Sequence, residues 1–172
     1  MINITTDRLI IISMSYAMVN SVLHGDDLEL EKLGISTNGK WPLQDTLDIL
    51  HLVANNMPKN GEPDEFDVWM IIKKADMTII GDCGFKGGPD ENGAIEIGFG
   101  IISEEWRRGY GFEAANALIK WAFSQNGVRT IKADCLPDNI GSVRVLEKCG
   151  MHEIKRDNEW INWEIANPNI VE

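Results

Sequence analysis

Cysteine is scarce in this chain. Cys83, Cys135 and Cys149 are an odd number without CxxC spacing. That excludes a disulfide framework and a thiolate zinc site, and reads as reduced core thiols in a cytoplasmic protein. Basic residues are scarce as well: 16 Lys and Arg stand against 27 Asp and Glu, a formal net charge of −11. Such a surface argues against a nucleic-acid interface. It draws cations in, and it also serves plain solubility. No apolar run approaches the roughly 20 residues of a membrane span, and Met1 to Arg8 shows no secretory pattern. His24, His51 and His152 lack ligand spacing, so no metal site is expected. No GK[ST] triplet occurs, which excludes a P-loop.

What is present is an ordinary globular chain of 172 residues, 44% hydrophobic and 25% charged, which predicts one domain over 1–172. Arg8–Ile12 reads as a first strand, and Ser15 caps a helix to about Leu23. A second helix is expected from Pro42, with Leu43, Leu47, Leu50 and Ala54 at helical spacing. Asn60–Asp64 reads as a loop. Strands over 66–73 and 78–86, with a turn at Lys74–Asp76, lead through Gly87–Gly93 into a third strand, an antiparallel meander. From Ala94 the pattern becomes strand (94–102), helix (111–126), strand (128–136), helix (139–149), the signature of a parallel pair. Gly127 and Gly150 fall where helix C′ residues belong. Strands at His152–Arg156 and Glu159–Ile165 close the chain.

The most informative stretch is Glu104-Glu105-Trp106-Arg107-Arg108-Gly109-Tyr110-Gly111-Phe112-Glu113-Ala114-Ala115. A strand, a basic glycine turn and a helix in series build an anion site. Unpaired N–H groups at the helix start point outward, and the helix dipole favours negative charge there. On the strand before it, Ile95, Ile97, Phe99 and Ile101 share a core face. Ala94, Glu96, Gly98 and Gly100 share the other. Two glycines weaken a strand unless something lies close against its backbone. A ligand along that face would place Glu96 beside it; the alternative is an exposed glutamate on a bulged strand. Gly98-Phe99-Gly100 is no dinucleotide fingerprint, because Ser103 holds the third glycine position.

The turn Trp106-Arg107-Arg108-Gly109-Tyr110-Gly111 resembles the Q/R-x-x-G-x-G/A signature of the GNAT superfamily of acyl-CoA-dependent N-acetyltransferases. Asn139-Ile140-Gly141-Ser142-Val143-Arg144-Val145-Leu146-Glu147-Lys148-Cys149-Gly150-Met151 is similar to the N-x-x-S-x-x-V-L-E-K-x-G-F/M run of its ribosomal-protein-acetyltransferase-like branch. Thr6-Asp7-Arg8-Leu9 resembles that branch's T-x-R-L opening, and Glu96-Ile97-Gly98-Phe99 its E-I-G-Y strand. One departure is visible: Trp106 stands where the signature has Gln or Arg. An amide N–H is the same under any non-proline residue, so Arg107 or Arg108 would supply the charge.

The resemblance implies an α/β fold, a mixed and mostly antiparallel seven-stranded sheet flanked by about four helices. It implies acetyl-CoA as cosubstrate, with pyrophosphate on the turn formed by Arg107, Arg108, Gly109, Tyr110, Gly111 and Phe112. The pantetheine arm is expected along Phe99, Ile101 and Ile102, between two parallel strands that splay apart. Glu96 is the expected base, directly or through water, for an amine attacking the thioester. Many relatives use a tyrosine on the last helix to protonate the leaving thiolate. This chain has only Tyr16 and Tyr110, so Ser142 is expected in that role with Asn139 on the pantetheine. Both also suit a helix cap and first turn.

The implied acceptor is a primary amine: a protein N-terminus or a small cationic amine. Trp121 is expected in the core. Trp160 and Trp163 lie on opposite faces of the last strand, so at most one is expected buried and the other at the acceptor cleft or a homodimer surface. Asp26, Asp27 and Glu29 read as a solvated run or as contacts for a cationic acceptor. A non-catalytic acyl-CoA-binding module is the competing reading; it would need neither Glu96 nor Ser142.

Overall fold

The computed structural model describes residues 1–56 and 65–170; the loop expected at 60–64 lies outside them. The chain runs β1 (Asn3–Thr5), β2 (Leu9–Ser13), α1 (Tyr16–Leu23), α2 (Leu28–Glu31), α3 (Gln44–Asn56), β3 (Val68–Lys73), β4 (Thr78–Phe85), β5 (Ala94–Ile101), α4 (Tyr110–Phe123), β6 (Thr130–Cys135), α5 (Ile140–Lys148), β7 (His152–Arg156) and β8 (Ile161–Ala166). The strands form one eight-stranded sheet in the order β1-β2-β3-β4-β5-β6-β8-β7. All neighbours are antiparallel except β5 and β6.

The described sheet has one strand more than the seven expected, and the helices number five rather than four. The additions are β1, three residues paired to β2, and α2, a four-residue turn of helix. Both are too short for their periodicity to rise above the sequence around them. The second helix starts at Gln44 rather than Pro42, with the Leu47 N–H bonded to the Leu43 carbonyl.

Each face of the sheet is covered. On one, α4 buries Ala114, Ala115, Leu118, Ile119 and Ala122. Half-buried Trp121 packs on Trp69 at 5.0 Å between centroids and on Phe66 at 5.6 Å, closing an aromatic cluster as the core expectation requires. The other face carries Asp82 and is capped by Trp41 and α3. Strand β3, central and covered twice, is buried at five consecutive positions instead of alternating. Full burial of a side chain such as Ile71 or Ile79 contributes about 1.5–3 kcal/mol relative to exposure.

The caps follow local chemistry. Ser15 accepts from the Met18 N–H at the head of α1. Gly150 (φ +82°) ends α5 in a Schellman arrangement: its N–H bonds the Glu147 carbonyl, and the Met151 N–H bonds that of Leu146. Gly127 is also left-handed (φ +87°). It is not a C′ residue, however, because α4 stops at Phe123 with Ser124 as its cap.

The parallel pair is brief. β5 pairs β6 only over Ala94–Glu96 against Thr130–Lys132, while β4 continues along β5 to Ile101. Beyond Glu96 the two parallel strands therefore diverge. The Lys86 N–H bonds the Glu96 carbonyl and the Ile102 N–H bonds that of Ile80, so even-numbered residues of β5 turn their backbone groups to β4. Those of Phe99 and Ile101 face the open side.

Candidate active site

The divergence opens a cavity of about 780 Å³. Gly98, Phe99 and Gly100 of β5 line it on one side, and Ala133–Leu136, Asn139 and Ser142 on the other. α3 contributes Thr46, Ile49 and Leu52. A smaller depression of about 480 Å³ shares Leu136 and Trp160 with it.

The turn after β5 is built to expose amides. Trp106 is extended, Arg107 takes φ +61° and Gly109 φ +82°. A non-glycine in the left-handed region costs roughly 1–2 kcal/mol, so Arg107 stores strain here. Gly109 caps α4 without a side-chain bond, and the first helical bond runs from the Glu113 N–H to the Gly109 carbonyl. Among the described residues, the N–H groups of residues 107–112 have no acceptor. Six consecutive amides at a helix N-terminus, with two arginines, form a strong anion cradle.

Side chains that sequence reasoning left without a role hold this turn. Arg8 donates to the Arg108 carbonyl at 2.9 Å and lies 4.4 Å above the Tyr110 ring. It also pairs with Glu113 at 2.7 Å. Glu113 further accepts the Arg8 N–H and the Thr6 hydroxyl. Burial alone would push this carboxyl up, but the Thr6 and Arg8 hydrogen bonds and the guanidinium carry it below the usual range. From beneath, buried Glu105 takes Lys73 at 2.6 Å. Arg108 Nη1 lies 3.4 Å from Glu105 Oε2, near enough to pair but outside hydrogen-bond geometry. The signal was available, since Thr6–Leu9 resembles a family opening and Glu113 lies in the informative stretch 104–115; only the fold shows that they grip each other.

Trp106 is exposed, yet its indole N–H donates to the Ile101 carbonyl at 2.6 Å. That carbonyl sits on the open edge of β5. Phe99 and Ile101 stay beside the cleft, half-buried. Ile102 does not: it is 1% exposed and its N–H is spent on Ile80, so the expectation of cofactor contact there is withdrawn.

Gly98 and Gly100 share a face with Glu96. A methyl added at either glycine would meet no atom within 4 Å. Packing therefore does not demand them, and their open surface adjoins the cavity. Glu96 itself pairs with Lys86, which also lies 3.7 Å from Asp134. Lys86 and Asp134 line the cavity, whereas Glu96 stands behind them at the closed end of the splay.

On the opposite wall, Asn139 caps α5 by accepting the Ser142 N–H at 3.1 Å. The Ser142 hydroxyl makes no hydrogen bond among the described residues and lines the cavity. Trp163 is buried with its indole N–H on Cys135 Sγ, while Trp160 is exposed at the cavity mouth. Asp26, Asp27 and Glu29 are bonded to Ser21, Thr37 and Lys32, and none lines the cavity.

One buried acid went unnoticed in the sequence. Asp82, in the middle of the apolar run Thr78–Phe85, lines the cavity opposite Gly100. An acid between Gly81 and Cys83, just after Ile79-Ile80 in a strand, was a usable signal.

The chain as a whole has counterparts among known proteins. Residues 19–152 match the family model described as an acetyltransferase (GNAT) domain. An uncharacterized N-acetyltransferase of Bacillus subtilis (strain 168), YjdG, is 37% identical over 163 residues, covering 95% of this chain and 97% of the relative. The crystal structure of a ribosomal-protein-S5-alanine acetyltransferase from Vibrio fischeri superposes with a TM-score of 0.65 at 14% identity, covering 98% of each chain. The microcin C7 self-immunity acetyltransferase MccE, solved with acetyl-CoA and AMP, superposes with a TM-score of 0.63 at 13% identity, covering 94% of this chain and 93% of its own.

Proposed function

The chain belongs to the GNAT acetyltransferase family, and on that premise we propose that it transfers an acetyl group from acetyl-CoA to a primary amine by direct attack within a ternary complex. The observation that carries this reading is the cradle of six unclaimed amides at the head of α4, opening beside the splay of β5 and β6. Bound acetyl-CoA would supply the activated thioester. The amides of Arg108, Gly109, Gly111 and Phe112 fit its pyrophosphate, with Arg107 and Arg108 adding charge. The free edge of β5 at Phe99 and Ile101 fits the amides of the pantetheine arm. Ser142 has a hydroxyl free to donate to a leaving sulfur. Asn139 stands beside it, although its Oδ1 is already engaged as a cap.

Glu96 is the proposed base. Because it lies behind Lys86 and Asp134, it would take the amine's proton through water. The acceptor is a protein N-terminus or a small cationic amine, drawn toward a cleft where, among the described residues, Asp45, Asp67, Asp82 and Asp134 stand against one ammonium, that of Lys86. A thiol-release assay with acetyl-CoA against amines and N-terminal peptides tests the reading. Release dependent on a primary amine is expected. Tight CoA binding with no turnover on any acceptor would favour a binding module instead.

A further inference from the structure

Asp82 serves the fold through one carboxylate oxygen and leaves the other without a stated role. It is 7% exposed. Its Oδ2 accepts two hydrogen bonds, from Trp41 Nε1 at 2.8 Å and Thr46 Oγ1 at 2.6 Å. Its Oδ1 has no partner among the described residues. Yet Oδ1 is not sealed, because Glu105 Oε2 is the only described side-chain oxygen or nitrogen both occluded and unbonded. Oδ1 therefore opens on the cavity that Asp82 lines.

Burial drives this carboxyl above the usual range, against the pull of Thr46 and Trp41, and Asp45 adds to the rise. Among the described residues no cation completes it: Lys86 is committed to Glu96 and Asp134. Water in the open cavity can meet Oδ1, but an ammonium would meet it more strongly, because a charge-assisted hydrogen bond is about twice as strong as a neutral one.

The surroundings say which ligand. Gly100, directly across from Asp82, leaves the floor open. Above it α3 turns Ile49 and Leu52 to the cavity, 46% and 65% exposed. A single ammonium with an apolar body satisfies both features. A polycation would leave those two aliphatic side chains unmatched, even where its further charges reach Asp45, Asp67 or Asp134.

We propose that Asp82 docks the acceptor: Oδ1 receives the ammonium of a primary amine whose apolar body lies along Ile49 and Leu52 of α3. Only the word acceptor rests on the acetyl-transfer reading; the docking itself is a binding property. An ammonium on a desolvated carboxylate is a charge-assisted bond, so removing the charge should be felt at least tenfold.

Calorimetric titrations of n-hexylammonium, 1-hexanol and spermidine, with and without CoA present, provide the test. Wild type should bind n-hexylammonium more tightly than spermidine. D82N should lose at least tenfold in n-hexylammonium affinity, bind 1-hexanol like wild type and keep CoA affinity within twofold. Thr46→Val, which removes one clamp and leaves the charge, should retain the ammonium. D82N should also melt no lower than wild type, since Asn can still accept from Trp41 and Thr46 and carries no buried charge. Equal n-hexylammonium affinity in wild type and D82N, no binding to wild type, or tighter binding of spermidine each overturns the proposal. Failure of CoA to bind wild type would strike the acetyl-transfer reading instead, and the titrations without CoA would still decide Asp82.

Discussion

Ser142 and Trp106 are side chains whose chemistry reaches beyond their own turn of backbone. The Ser142 hydroxyl is uncommitted and lines the cleft, so its loss should touch chemistry more than binding. S142A is expected to lower kcat roughly tenfold or more, by analogy with removal of one preorganised donor, with CoA affinity within twofold in titration. Unchanged turnover would end that role. Trp106 is different, because its indole N–H occupies the Ile101 carbonyl on the open edge of β5. A pantetheine amide competing for that carbonyl must first displace the indole. Trp106→Phe keeps the ring and removes the competitor, a bond worth about 0.5–1.5 kcal/mol net. CoA should then bind roughly threefold tighter; weaker binding would show that the indole assists.

Elements carry the next layer. β5 turns an apolar face to α4 and a glycine face to the cleft, and both were legible as alternation. What alternation cannot show is that β6 leaves β5 after three pairs. At Gly98 the space for a side chain is empty, and valine suits a strand better than glycine. Gly98→Val should therefore fold with equal or higher thermal stability while its KM for the amine rises. Thermal melts beside steady-state kinetics check both halves, and a destabilised variant with normal kinetics would refute the open-floor reading.

The whole molecule ties the turn between β1 and β2 to the head of α4. Thr6 and Arg8 hold Glu113 across more than 100 residues of chain. The fold lowers the Glu113 carboxyl below its ordinary value: burial opposes this, and the Thr6 and Arg8 hydrogen bonds outweigh it. A depressed acid stabilises the fold above its unfolded value, about 4.3, and loses that contribution as pH falls through the depressed one. Glu113→Gln should thus be less stable than wild type at pH ~7, with a smaller gap at pH ~3. Urea midpoints at the two pH values measure it. A gap independent of pH would make the Glu113 contact one of shape rather than charge.

The sequence by itself determined the order of the elements other than β1 and α2, the family and the amide turn. Periodicity, caps such as Ser15 and Asn139, and the run Trp106–Gly111 are local properties, written in neighbouring residues. Tertiary structure alone decided the rest. It removed Ile102 from the cofactor track by burying it, set Glu96 behind Lys86, and bound Arg8 to the turn. It also turned Asp82 from one acid among many into a half-satisfied carboxylate in the cleft. Each of these depends on which distant groups meet and how much water they lose, and burial and partnership are properties of the packed molecule.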